Sequence, residues 1–197
     1  MNRLIATLAE DFENFAPEMV ASPKASAYRI YRDTRFSKNK TPYKTHVAAV
    51  FPRQGLGKHE GAGFYLHVGC DEVLIGGGLY MPLPEDLAAL RSHISDNWGQ
   101  LRSIVKSRSF RRLLGDITGE QLVRVPRGYA ADHPGGDYLR MKQFLAGRSL
   151  EPEVAGTPEF YALAVETFRT MLPLIRFLNE PIVRRHRIRE RQDAMLR

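Results

Sequence analysis

The stretch GFYLHVGCDEVLIGGGLYMP, residues 63–82, decides the fold. Phe64, Leu66, Val68 and Cys70 alternate with Tyr65, His67 and Gly69, the period of two that places an apolar set on one face of a β-strand. Asp71-Glu72 forms a short turn into Val73-Leu74-Ile75, so the two runs predict a hairpin. Gly76, Gly77 and Gly78 are expected to break the second strand before Leu79, their absent side chains allowing close backbone approach. One element upstream, Val47, Ala49 and Phe51 alternate with His46, Ala48 and Val50 as a further strand. Pro52 and the glycines at 55, 57, 61 and 63 make the segment between them a loop. Residues 27–33 alternate as well and read as strand-like.

Beyond residue 82 the periodicity becomes helical. Pro84-Glu85-Asp86 suits a first helical turn, and Leu87, Leu90 and Ile94 follow at helical spacing. Shorter helices are expected over 100–107 and 109–114, an isolated strand over 121–125, and another helix over 137–145. Thr157, Pro158 and Glu159 open the strongest helix. Its apolar stripe is Phe160, Ala164, Phe168, Met171, Ile175, Leu178 and Ile182, with a kink expected at Pro173. At the other end, Leu4, Leu8, Phe12, Phe15 and Met19 predict an amphipathic helix with no capping residue before it. The expected fold class is therefore α+β. A single domain over 1–182 has a small, mainly antiparallel sheet from its N-terminal half, packed with several helices from its C-terminal half, and is followed by a basic tail over 183–197.

Composition bounds the function classes. The 197 residues carry 43% hydrophobic and 26% charged side chains, which excludes collagen-like, disordered and disulfide-stapled chains. One cysteine, Cys70, precludes an intramolecular disulfide and points to a reducing compartment. It ends an apolar alternation, so a buried, inert thiol is expected. No apolar run approaches the ~18 residues of a membrane span, and no signal-peptide pattern opens the chain. A cytoplasmic protein without a membrane partner is the expectation. The net charge of +7 is local. Residues 183–197 carry +4 and residues 29–46 carry +5, leaving the remainder slightly acidic.

The basic stretch 29–46 holds Arg32, Arg35, Lys38, Lys40 and Lys44 among the hydroxyls of Ser37, Thr41 and Tyr43. Guanidinium forks and ammonium charges in that density suit phosphate or carboxylate recognition, although a solvated turn accounts for the same residues. A second polar loop presents Arg127, Asp132 and His133. An Asp–His pair can perform general acid–base work, or the aspartate can simply cap the next helix. Gly55-Leu56-Gly57-Lys58 falls short of a phosphate loop, because His59 stands where Ser or Thr is required. The six histidines, at 46, 59, 67, 93, 133 and 186, show no metal-ligand spacing, and no metal site is expected.

These residues also carry a resemblance. The run YRDTRFSKNKTPYKT (31–45) closely resembles the signature of a widespread, mainly bacterial family of conserved hypothetical proteins, a domain of unknown function. The likeness continues through GFYLH (63–67), GGGLYMP (76–82), RVPRGY (124–129), DHP (132–134), KQFL (142–145) and RFLN (176–179), nearly the whole chain. It implies one compact domain and supplies no reaction, cofactor or catalytic residue. Members usually begin with a further segment bearing an aromatic-rich helix, so the chain is expected to start partway through that region.

The leading expectation is an anion-binding cleft. Its ligand-binding residues are Arg32, Arg35, Lys38, Lys40, Lys44, Gly77 and Arg127, its partner is a phosphorylated or carboxylate small molecule, and its candidate proton-transfer groups are His133 and Tyr43. One alternative is non-specific nucleic-acid binding through the basic loop and the Arg-rich tail. Another is a structural or interaction protein whose polar loops form internal ion pairs.

Overall fold

The computed structural model of the chain describes residues 1–32, 35 and 40–195. The alternating runs pair as expected: β1 (His46–Phe51), β2 (Gly63–Gly69) and β3 (Val73–Leu79) form an antiparallel meander. Val68 opposite Val73 closes the β2–β3 hairpin, and Phe51 opposite Phe64 joins β1 to β2. A fourth strand, β4 (Phe144–Leu150), pairs antiparallel with β3, so the order is β1-β2-β3-β4.

β4 corrects two readings. The C-terminal half also gives the sheet a strand, and the helix expected over 137–145 is a single turn at Gly136–Leu139. Phe144 and Ala146 alternate with Leu145 and Gly147, and they satisfy the backbone edge that β3 would otherwise leave open. The glycine triplet does not interrupt β3 but runs inside it. A Cβ on Gly77 would fall on the Gly63 carbonyl oxygen, and one on Gly78, where φ is +129°, on that of Phe144. The glycines are what lets three strands approach this closely. Among the described residues, 27–32 and 121–125 form no strands; they make single bridges, Ala27 to Ala49, Tyr31 to Tyr43 and Gln121 to Met141.

The helices are α1 (Asn2–Phe15), α2 (Pro23–Ser26), α3 (Pro84–Asp96), α4 (Trp98–Val105), α5 (Arg108–Leu114), α6 (Gly136–Leu139, the single turn just noted) and α7 (Glu159–Met195). The stripe that α1 buries is Ile5, Leu8 and Phe12, while Met19 is buried past its end. α7 continues through both Pro173 and Pro181, and residues 183–195 are its last turns. It lies against β3, α3 and α5. Its Phe168 stacks on Phe64 at 4.7 Å between ring centroids and meets Phe51 edge-on at 5.7 Å, while Phe12 closes the cluster at 5.3 Å from Phe51. Edge-to-face and offset rings of this kind add to the large apolar area they bury. One face of the sheet is thus sealed by Ala49, Phe51, Phe64, Leu66, Ile75, Leu79 and Phe144 against helices. Among the described residues, no helix is long and apolar enough to cross a membrane. Cys70 falls in the β2–β3 turn and is exposed, not buried.

Candidate functional site

Because strand side chains alternate, sealing one face commits the other set to the opposite side. That set is His46, Ala48 and Val50 on β1, Gly63, Tyr65 and His67 on β2, Leu74, Gly76 and Gly78 on β3, and Leu145 and Gly147 on β4. Glycines and an alanine make the floor hollow, and the hollow opens into a groove of about 650 Å³. Its walls come from connections: Tyr28 after α2, Lys44 before β1, Lys58 and His59 between β1 and β2, Tyr80 after β3, and Thr118.

Local chemistry fixes these walls. Ser22 caps α2 by accepting the Ala25 N–H, and the Ser26 hydroxyl donates to the Val20 carbonyl. The Tyr28 N–H then donates to the Ala48 carbonyl at 2.9 Å, which fastens Tyr28 to β1. In the β1–β2 loop the Glu60 carboxylate accepts the Gly57 N–H at 2.7 Å, bracketing Lys58 and His59. Asn179 on α7 is buried and bonds both backbone groups of Ala62, accepting its N–H at 2.9 Å and donating to its carbonyl at 2.8 Å. The long helix thereby holds the end of the loop that leads into β2.

Two ammonium groups converge on one ring: Lys58 Nζ lies 4.2 Å from the Tyr28 centroid and Lys44 Nζ 5.6 Å from it. Lys58 also donates to the Ala27 carbonyl at 3.5 Å. Among the described residues neither lysine has a carboxylate partner, and none of the described lining residues is acidic. Burial, followed by the repulsion of Lys44, pulls the Lys58 ammonium below the usual lysine range. Burial, then His67 and Lys44, push the His46 imidazole down as well, so it is neutral at pH 7. Burial raises the phenols of Tyr28 and Tyr65, which stay protonated and able to donate. Tyr28 Oη sits 3.5 Å from His59 Nε2, Tyr65 Oη 3.4 Å from His67 Nδ1, and the His46 and His67 rings stack at 4.3 Å. The groove is therefore positively charged, half-desolvated and supplied with neutral donors. Among the described residues, no group of three or more His, Cys, Asp or Glu is placed to hold a metal ion.

The expected ligand residues separate. Lys44 and Gly77 line the groove. Arg32 lies farther out, where residues 30–32 pair with 42–44: the Arg32 N–H donates to the Pro42 carbonyl, the Lys44 N–H to that of Ile30, and the Arg32 guanidinium to Thr41 Oγ1 at 3.2 Å. Arg35, Lys40 and Tyr43 are exposed and do not line the groove, and Lys38 lies outside the described residues. Arg127 and His133 line a separate hollow with Arg124, Asp132 and Arg140. His133 Nδ1 accepts the Gly135 N–H at 2.9 Å, which leaves the proton of the neutral ring on Nε2, 3.4 Å from Ser95 Oγ. Sequence reasoning missed Tyr28, Lys58, His59, Tyr65 and Tyr80. The signal for Tyr65 was available, since it alternates with core residues; Tyr28 lies in an alternating stretch that makes only single bridges, and the others reach the groove from loops that follow no period.

A family model described as conserved hypothetical protein (DUF2461) matches residues 1–177. No curated protein and no solved structure matches the chain.

Proposed function

Since the chain belongs to the DUF2461 family of conserved hypothetical proteins, a description that carries no reaction, we propose its function from the groove itself: it binds a small molecule bearing a phosphate or carboxylate. The observation that carries this reading is the pair of lysines, Lys44 and Lys58, held about one tyrosine ring in a groove whose described lining has no acidic residue. A folded protein that keeps two neighbouring ammonium groups without carboxylates accepts mutual repulsion, and an anionic ligand relieves it. Tyr28 and Tyr80 offer aromatic surface to the rest of the ligand, and the glycine floor lets a ligand lie against the backbone. The basic loop 29–46 contributes through Lys44, its inner end. An exposed free thiol at Cys70 suits a reducing compartment, and we place the protein in the cytoplasm.

Thermal melts against inorganic phosphate, a phosphomonoester and a dicarboxylate test the proposal. Ligand at 100 times its Kd adds about 2.7 kcal/mol, which for a chain of this size raises Tm by roughly 5–10 °C. Lys44→Ala and Lys58→Ala are expected to melt near the unliganded wild type and to lose the ligand-induced rise. No rise with any of the anions, or an undiminished rise in both variants, refutes it.

A further inference from the structure

Past the groove, the strongest concentration of charge lies at the far end of α7. Arg184, Arg187 and Arg191 recur at steps of three and four, so they share one face of the helix. They line a second hollow, of about 760 Å³, together with Arg53 from the end of β1. Two glutamates reach the same hollow, and both have other contacts. Glu18 is held by Arg176, with Nε to Oε1 at 2.6 Å and Nη2 to Oε2 at 3.2 Å, and Glu180 faces His93 at 3.7 Å. Burial acts against the Glu18 charge, but the Arg176 hydrogen bonds, a backbone hydrogen bond and the charges of Arg176 and Arg53 together outweigh it and hold the carboxyl below its usual range. Arg53, Arg184, Arg187 and Arg191 have no ion-pair partner among the described residues. Arg185, on another side of α7, does have one and anchors the helix through Asp86 at 2.7 Å.

We propose that Arg184, Arg187 and Arg191, with Arg53, form a second binding site, and that its ligand is the phosphate backbone of a nucleic acid. At ~1.5 Å per residue the three helical guanidiniums extend over about 10 Å along the axis, a line of charge suited to successive phosphates and longer than one small anion needs. Arginine forks match phosphate oxygens. The apolar residues in this hollow are Val183 and Ile188, too few for the hydrophobic centre of a protein interface or for the apolar stripe of a membrane-surface helix. Among the described residues no aromatic side chain lines it, so the contact reads backbone and not bases. None of the described residues of the basic loop lines the hollow. The three helical arginines also lie past residue 177, the last that the family model matches.

Fluorescence anisotropy with a labelled duplex of about 20 base pairs, titrated at several salt concentrations on the full chain, tests the site. Wild type is expected to bind at ~50 mM salt and to weaken steeply as salt rises, and the triple variant R184A/R187A/R191A to lower the slope of log K against log salt by roughly 2 to 3. Arg189→Ala, outside the hollow, is the control and is expected to leave that slope at its wild-type value. A triple variant with the wild-type slope overturns the proposal. So does a wild type that ignores the duplex, including one that sediments instead with phosphatidylserine vesicles. Circular dichroism melts of the triple variant separate lost contacts from lost folding, and Arg184→Lys, which keeps the charge, is expected to retain the slope.

Discussion

Asn179 does at the scale of one residue what no periodicity announces. Its amide satisfies both backbone groups of Ala62, 117 positions away in sequence, inside the protein. Asn179→Ala leaves a buried N–H and a buried carbonyl without partners, and a loss of about 2–4 kcal/mol is expected in urea unfolding. Asn179→Asp keeps the acceptor but sets a buried carboxylate oxygen against the Ala62 carbonyl, so it is expected to cost at least as much. Gly78 is equally exacting: with φ at +129° and the Phe144 carbonyl where a Cβ would stand, Gly78→Ala is expected to cost about 3 kcal/mol or more by the same measurement. Histidines set an acid limit. Burial lowers His93, outweighing Glu180 and Asp96, and burial with His67 and Lys44 lowers His46. An unfolded histidine titrates near 6.5, so as pH falls below that value the unfolded chain takes up protons before the folded one. Tm is expected to drop between about pH 7 and pH 5, and a His93→Gln variant to show a shallower drop in the same scan.

At the scale of elements, α7 is both core and fastener. Its later turns carry Arg185, which reaches Asp86, a fully buried carboxylate at the start of α3, and also Glu85 at 3.3 Å. Arg185→Ala leaves that carboxylate only His186, 3.9 Å away, and a loss of about 3–5 kcal/mol is expected by chemical denaturation. Ending the chain after Ile182 removes the same partner, so a boundary drawn at 182–183 cuts through a structural contact. That pairing was invisible in the sequence, where residues 183–197 show only charge. The elements that could be read from sequence alone are those with one face against the core over many turns or pairs: α7 by its stripe from Phe160 to Ile182, β2 by its alternation, α3 by its proline and acids. β4 escaped because a seven-residue segment with a glycine in it fits a helix end as well as an edge, and only the open side of β3 decides between them. The groove was half visible for the same reason. Lys44 belongs to a dense basic stretch, while Lys58 sits alone in a glycine loop and gains meaning only when Tyr28 is brought beside it.

For the molecule as a whole, the sheet divides two tasks between its faces, large apolar side chains toward the helices and small or polar ones toward the groove. Changes on the two faces should therefore separate in their effects. Phe64→Ala is expected to destabilise by about 3–5 kcal/mol, while Tyr65→Phe, its neighbour in sequence, is expected to stay within about 1 kcal/mol of wild type and to alter anion affinity in the melts. Four strands that lie in chain order, with α7 laid across them last, also impose a schedule on the nascent chain. β1, β2 and β3 are synthesised before residue 80, and β4 before residue 151, but the helix that covers Phe51, Phe64 and Ile75 is made only afterwards. At ~5–20 residues per second, that apolar surface stays bare for some seconds, long enough for a chaperone or a second nascent chain to find it.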